Sequence, residues 1–286
     1  ENNNEIPVEK LNNDTENISK KLPQKYDLRD YGRVSKVKNQ GSEGYCWAFA
    51  SVASMESSIL SQNDLKSKLG ENPQDTIDLS EAGQTWYIHS GIVDKSSPFY
   101  GDYIDDSSKG SNGGTSDTLA ISLNSGFGTY PQSLCPYNEV KKGFSETLRY
   151  YSDYRLKDYS EISNNKDTLK SKIVSNGAVT VYYPSITDCY SSDYANYYSD
   201  NTCIGIGDAH LIVVVGWDDN YSKDNFTGKV KPSNDGAWLC KNSWGEHYGN
   251  DGYIWISYDT TNLAFSQYIM QDNNAYDNEY QNCFVT

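Results

Sequence analysis

Long apolar segments and basic residues are both scarce in this chain of 286 residues. The longest apolar run, residues 211–215, is far shorter than the roughly 18 residues that predict a membrane-spanning helix. The polar residues 1–4 do not resemble a secretory signal. Lys and Arg number 24 against 39 Asp and Glu, which gives a net charge of −15. We therefore expect no transmembrane segment and no nucleic-acid partner, because nucleic acid binds a basic surface.

Cysteine and methionine are also few. The six cysteines form no CxxC pair, so the sequence predicts neither structural zinc nor any other thiolate-bound metal. Two Met beside 25 Tyr are typical of a secreted or cell-surface protein, because Tyr supplies apolar area with a polar end while Met oxidises readily. Cys189 and Cys203 are the nearest candidates for a disulfide, whose loop of about 15 residues would add roughly 3 kcal/mol of stability. Cys240 lies in an apolar run and is predicted to be inert packing.

The chain divides into a polar leader and one folded domain. Residues 1–21 are interpreted as a flexible leader or a pro-segment remnant, and residues 22–286 as the domain. Helical spacing of apolar residues predicts helices near residues 45–61, 80–89 and 115–125. β-Branched and aromatic runs predict strands near residues 178–182, 211–215, 236–240 and 252–258. Residues 94–114 are predicted to form a long loop.

Helices in the first half and strands in the second half predict an α+β fold. We expect a helical lobe over about residues 30–150 and a β-rich, barrel-like lobe over about residues 151–275. A cleft between two such lobes is a common position for an active site.

Cys46 is the candidate nucleophile. It follows the turn Gly41–Tyr45 and begins the first predicted helix, where unpaired backbone N–H groups favour a negative charge. The glycines of that turn let a substrate approach the sulfur closely. The alternative is a small buried cysteine that only packs against its neighbours.

Three further residues support the catalytic interpretation. His210 directly precedes the predicted strand at residues 211–215, so a rigid element would hold its ring. Asn242 could orient that ring without adding a second negative charge. Gln40, six residues before Cys46, supplies an amide that could help the Cys46 N–H to hold an oxyanion.

These residues lie in motifs that resemble papain-like cysteine peptidases. The resemblance covers about residues 22–260, in the family's order, and it is carried by the following segments: Leu22–Pro23, Asp27–Gly32, Val37–Ser42, Cys46–Ala50, Leu79–Glu81, Asn112–Gly114, Pro136–Tyr137, His210 with Gly216–Trp217, Lys241–Gly245 and Gly252–Ile254. It implies a two-lobed papain-like fold and peptide-bond hydrolysis through a thioester with Cys46, with no cofactor.

The resemblance also implies a role for each matching residue. Cys46 would be the nucleophile, His210 the acid and base, Asn242 the residue that orients His210, and Gln40 an oxyanion donor. Trp244 would cover the His210–Asn242 pair, and Gly113 and Gly114 would pair with the substrate backbone. Cys46 and His210 would rest as thiolate and imidazolium. The implied partners are a protein or peptide substrate and the enzyme's own pro-segment. We expect the chain to be a monomer.

The departures from the family's pattern concern one disulfide and the edge of the cleft. Glu43 and Ser111 occupy two positions where the family commonly has a bridged pair of cysteines. Ala209 replaces the usual Asn or Asp beside the histidine and is a candidate substrate contact.

Residues 216–221 and 236–238 look most like bacterial cell-surface members of the family, some of which mature surface-layer proteins. A structural calcium ion near Asp218 and Asp219 is a further possibility, against the simpler interpretation of a solvated acidic turn.

Two other functions fit the same residues. A Cys and His pair also serves enzymes that transfer the acyl group to an amine, as transglutaminases and sortase-like ligases do. A catalytically inactive surface module could share the fold. Retention of all four candidate catalytic residues favours an active hydrolase, an endopeptidase that acts outside the cell or at its surface.

Overall fold

The computed structural model describes residues 22–92, 95–96, 100–101 and 113–273. The helices are α1 (Cys46–Leu60), α2 (Asn63–Lys66), α3 (Pro73–Thr76), α4 (Glu81–His89), α5 (Ser116–Asn124) and α6 (Lys166–Asn176). Short 3₁₀ helices occupy Leu28–Tyr31, Ser67–Leu69, Tyr137–Glu139, Glu146–Leu148, Thr187–Cys189 and Lys223–Asn225. The strands are β1 (Lys25–Asp27), β2 (Tyr154–Ile162), β3 (Val179–Ile186), β4 (Asn196–Tyr197), β5 (Gly207–Asp218), β6 (Ala237–Lys241), β7 (Tyr253–Ser257) and β8 (Ala264–Asp272).

The strands form one mixed sheet in the order β2-β8-β3-β5-β6-β7-β4, and β1 pairs with the end of β5. Strand β5 is central: it is antiparallel to β3 on one side and to β6 on the other. Its first three residues are exposed, and its chain becomes buried at His210. The strand therefore carries His210 from the protein surface into the interior.

Helix α1 is buried on nearly all sides. Trp47, Val52 and Met55 pack in an apolar cluster with residues of α2, α4, α5 and β8. Ala50, on another side of the helix, packs in the cluster formed by the central strands. Small residues let the helix approach both clusters, which explains the predominance of Ala and Ser in its sequence.

The α+β, two-lobed papain-like fold predicted from the sequence is confirmed, and the three predicted helices correspond to α1, α4 and α5, close to their predicted ranges. Ser80 caps α4, since its Oγ accepts a hydrogen bond of 2.9 Å from Gly83 N. The predicted strands are also present, although β3 and β5 extend beyond their predicted ends. The lobe boundaries near residue 150 stay a prediction. Residues 1–21 and most of the predicted loop 94–114 lie outside the described residues.

The sequence analysis did not predict α2, α3, α6, β1, β2, β4 or β8, of which β2, α6 and β8 are the longest. Strand β2 is mostly half-buried or exposed and contains Lys157, Asp158 and Glu161, so its apolar alternation is weak. Helix α6 is polar, and its main start signal is Asn165, whose side chain accepts a hydrogen bond from Thr168 N. Such elements form because neighbouring segments cover their few apolar residues.

The predicted disulfide between Cys189 and Cys203 is formed, while Cys46, Cys135 and Cys240 are free. Within the described ranges, no helix is long and apolar enough to cross a membrane. No group of three or more His, Cys, Asp or Glu side chains could hold a metal ion in the part of the chain that the structure describes. Asp218 and Asp219 form ion pairs with Lys25 and Lys170, and the calcium ion stays a prediction.

Candidate active site

Cys46 is the first residue of α1 and is half-buried. The residue before it, Tyr45, makes no side-chain capping bond to the helix. The first N–H groups of the helix thus surround the sulfur, and those of Cys46 and Trp47 favour its thiolate. The N–H of Leu211 has the same effect. The sulfur therefore lies beside the backbone of β5 at Leu211, the residue that follows His210 in the chain.

His210 and Asn242 meet because they lie on neighbouring strands. His210 is in β5, and Asn242 directly follows β6, whose last residue Lys241 pairs with Val213. The two side chains are joined by a hydrogen bond of 2.9 Å between His210 Nε2 and Asn242 Oδ1. Because Asn242 occupies Nε2, Nδ1 is the ring nitrogen left to face a substrate or a nucleophile.

Trp244 covers this pair. Its ring stacks on the imidazole of His210, with centroids 4.4 Å apart and an angle of 16° between the planes. A bridge between the backbones of Asn39 and Trp244 fixes the segment that carries the indole. His210 and Asn242 are only 5% and 2% exposed, so their hydrogen bond is shielded from water. Ala209, by contrast, is exposed at the edge of the site.

Gln40 is fixed to the same segment from the other side. Its N–H donates to Ser243 O over 2.8 Å, and Ser243 Oγ donates to Gln40 Oε1 over 2.6 Å. Gln40 Nε2 donates to Glu43 O over 2.8 Å, within the turn that precedes Cys46. The amide nitrogen of Gln40 thus points toward the start of α1.

Burial changes the ionisation of both reacting groups. It raises the pKa of the Cys46 thiol, and the nearby N–H groups offset only part of that increase. It lowers the pKa of His210 to about 4, against a smaller opposite effect of the Asn242 hydrogen bond. Both shifts favour a neutral thiol and a neutral imidazole, whereas the resemblance implied an ion pair at rest.

Gly113 and Gly114 lie against the start of α1. A Cβ atom at Gly114 would lie 2.4 Å from the ring of Trp47, so only glycine fits at that position. Gly113 has φ +101°, and no atom lies within 4 Å of the place where its Cβ would be. The structure therefore places an open backbone segment next to the residue that follows Cys46.

A buried charged cluster beneath the site was missed by the sequence analysis. Lys38 Nζ lies 3.1 Å from Glu56 Oε1 and 2.9 Å from Glu81 Oε1. Lys241 Nζ donates to Ser35 Oγ over 3.0 Å. Lys38, Glu81 and Lys241 all lie inside motifs that carry the family resemblance. Their position in these motifs was the sequence signal that could have identified the cluster.

A family profile with the description "Papain family cysteine protease" matches residues 22–275. The chain is 28% identical over 248 residues to procathepsin L of Rattus norvegicus, covering 84% of this chain and 62% of that protein. It is 30% identical over 253 residues to cathepsin S of Bos taurus, covering 85% of this chain and 62% of that protein. The chain thus spans about 62% of the length of these curated relatives.

Solved structures show the same similarity. The cysteine protease and lectin-like domains of Cwp84, a surface layer associated protein of Clostridium difficile, match with a TM-score of 0.69 and 28% identity. That match covers 91% of this chain and 55% of the other. A structure of clostridial Cwp84 after propeptide cleavage matches with a TM-score of 0.71 and 27% identity, over 90% of this chain and 61% of the other.

Proposed function

The chain belongs to the papain family of cysteine proteases, and we propose that it is an endopeptidase that cleaves proteins outside the cell or at its surface. The observation that carries the proposal is the hydrogen bond of 2.9 Å between His210 and Asn242 beneath Trp244, with the sulfur of Cys46 beside the same strand. This geometry supports a catalytic set in which Cys46 is the nucleophile, His210 the base and Asn242 the amide that orients the base, each from a separate part of the chain.

Acylation begins with the sulfur of Cys46. As the sulfur attacks the scissile carbonyl, its proton passes to Nδ1 of His210. The imidazolium then gives this proton to the leaving amine, the C–N bond breaks, and a thioester with Cys46 remains. The hydrogen bond to Asn242 Oδ1 keeps the proton on Nε2, so Nδ1 alone exchanges protons with the reactants.

The carbonyl oxygen carries negative charge while it is tetrahedral. The N–H of Cys46 and Nε2 of Gln40 are the donors that would stabilise this charge. Gln40 Nε2 has one hydrogen engaged with Glu43 O and a second one for the oxyanion. Ser243 Oγ holds the other end of the amide, which prevents its reversal.

Hydrolysis of the thioester uses the same groups, with water as the nucleophile and the sulfur of Cys46 as the leaving group. Neutral His210 takes a proton from a water molecule, whose oxygen attacks the thioester carbonyl. The C–S bond then breaks, the sulfur recovers a proton, and the carboxylic acid product leaves.

The open backbone at Gly113, which Gly114 continues against the ring of Trp47, supports binding of an extended peptide through main-chain hydrogen bonds. Such binding tolerates many substrate sequences, which suits cleavage within protein chains. Ala209 and Trp244 would contact the substrate at the edge of the cleft.

The proposed location and the proposed pro-segment rest on similar proteins. Cwp84 is described as a surface layer associated protein, and one of its structures as the state after propeptide cleavage. Procathepsin L is likewise named as a precursor. We propose surface or extracellular action and inhibition by a pro-segment for this chain too.

The decisive experiment incubates the chain with unfolded casein and identifies the products by mass spectrometry. Internal fragments with free carboxyl ends are expected from the wild type, and none from Cys46→Ala. Products extended by an added amine would instead show acyl transfer. Intact casein with the folded wild type would contradict the proposal. Amino-terminal sequencing of both variants would show whether the enzyme trims itself.

A further inference from the structure

Two buried polar atoms below the active site have no hydrogen-bond partner among the described residues. One is Nδ2 of Asn242, the amide nitrogen on the far side from His210. The other is Oε2 of Glu81, whose Oε1 is bonded to Lys38. Glu81 and Asn242 are 1% and 2% exposed, so an unsatisfied atom on either one costs free energy in the folded state.

Both residues line the same small cavity. The cavity measures about 10 Å³, close to the smallest space that holds one water molecule. Lys241 also lines it, and its ammonium group carries three hydrogens, of which Ser35 Oγ accepts one. The residues that line the cavity thus carry two donors and one acceptor with free hydrogen-bonding capacity, and the space is of the right size.

We propose that one buried water molecule fills this cavity and makes Glu81 a positioning residue for Asn242. The water accepts hydrogen bonds from Asn242 Nδ2 and Lys241 Nζ, and donates one to Glu81 Oε2. Three hydrogen bonds are typical of a buried water. The inference rests on the proposed function, because the orientation of Asn242 matters through its bond to His210.

The water determines which end of the amide faces the histidine. With Nδ2 held by the water, Oδ1 points to His210 Nε2 and also accepts from Ser243 N over 2.8 Å. A reversed amide would place NH₂ against two donors and leave Oδ1 at the cavity. The negative charge of Glu81 keeps the water oriented as an acceptor toward Asn242.

Two cations and three carboxylates form the cluster around Glu81. Lys38 contacts Glu56, Asp78 and Glu81, and Lys241 lies near the same group through Ser35 and Glu56. Burial raises the pKa of Glu81 above its ordinary value, against the opposing effect of Lys38. Kinetic measurements therefore belong at alkaline pH, where Glu81 is ionised.

The first test is kinetic. Glu81→Gln is expected to lower kcat about tenfold with little change in KM, because a poorly oriented imidazole affects the transition state more than substrate binding. Asp78→Asn is the matched control, since Asp78 contacts Lys38 over 2.8 Å but does not line the cavity. It should keep the wild-type kcat. Equal losses in both variants would overturn the positioning role.

A double-mutant cycle separates positioning from general damage. In an Asn242→Ala background, where no amide remains to be oriented, Glu81→Gln should change kcat less than twofold. A tenfold loss in that background would contradict the proposal, because Glu81 would then act by another route. Thermal unfolding of each variant identifies those that fail to fold.

The second test does not depend on activity. A high-resolution crystal structure of the chain should show one water within hydrogen-bonding distance of Glu81 Oε2, Lys241 Nζ and Asn242 Nδ2. An empty cavity, or a water that reaches only one of the three, would overturn the inference. If the wild type cleaves nothing, the proposed function fails, whereas this structure still decides whether the water is present.

Discussion

Trp244 lies face to face with His210, with ring centroids 4.4 Å apart. The contact shields the bond between His210 and Asn242 from water, which would otherwise compete for both partners. Trp244 also packs against Tyr248 at 4.5 Å in an edge-to-face arrangement, which fixes the plane of the indole. The same ring thus orients the imidazole and keeps its surroundings dry.

This relationship predicts that Trp244→Ala lowers kcat by at least about tenfold, because losing the free energy of one buried hydrogen bond changes a rate by about that factor. Trp244→Phe keeps an aromatic face and should lose less. Steady-state kinetics on a peptide substrate would measure both. Equal activity of the alanine variant and the wild type would show that the cover is dispensable.

Cys46→Ala should abolish proteolysis, because Cys46 is the proposed nucleophile and the other free cysteines of the described residues, Cys135 and Cys240, are buried. Iodoacetamide should inactivate the wild type in proportion to the alkylation of Cys46. Cys240→Ala is the control: Cys240 is fully buried, and burial raises its pKa far above the ordinary value, so neither its loss nor the alkylating agent should affect catalysis. Loss of activity in a folded Cys240→Ala variant would argue against the assignment.

Gln40→Ala should lower kcat by about 10²- to 10³-fold, the usual effect of removing one oxyanion donor. Ser243→Ala removes only the hydroxyl that holds Gln40 Oε1, so its effect should be smaller. Both variants should leave KM nearly unchanged, since the oxyanion exists only during the reaction. An increase in KM at constant kcat would indicate ground-state binding instead.

Stability should fall in acid because of His210. Its pKa is about 4 in the folded protein and 6.5 as the ordinary value. Above that ordinary value the ring is neutral in both the folded and the unfolded chain, and the free energy of unfolding does not change with pH through His210. As the pH falls, the unfolded chain binds the proton first, so the free energy of unfolding decreases, by about 3 kcal/mol once the folded value is passed.

Urea unfolding at several pH values would measure this loss, with His210→Gln as the control that cannot titrate. The difference in unfolding free energy between the two proteins should shrink by about 3 kcal/mol from neutral pH to about pH 4. Parallel pH dependences would mean that the imidazole is no harder to protonate in the folded state.

The disulfide between Cys189 and Cys203 should stabilise the folded chain by roughly 3 kcal/mol through the loop it closes. Cys189→Ala combined with Cys203→Ala should lower the melting temperature accordingly. The two cysteines are 1% and 6% exposed, so a mild reductant that maintains Cys46 should leave the bond intact. Mass spectrometry after alkylation would check this, and rapid reduction in the folded state would contradict it.

Much of the local structure followed from residue order. The helix at Cys46 was predictable because apolar and small residues recur without Gly or Pro, and α4 because Ser80 is a capping residue. Strand β2 and helix α6 were not predictable, since their sequences are polar. They owe their stability to neighbours that are distant in the chain.

By itself, the sequence determined the fold class, the family motifs and the candidate residues, because these depend on residue type and spacing. Only the tertiary structure decided how those residues meet. Pairing of β5 with β6 brings Asn242 to His210, and burial alters the pKa of His210 and Cys46. The charged cluster around Glu81 could not be derived either, since the cost of burying charges depends on how closely oppositely charged groups pack in three dimensions.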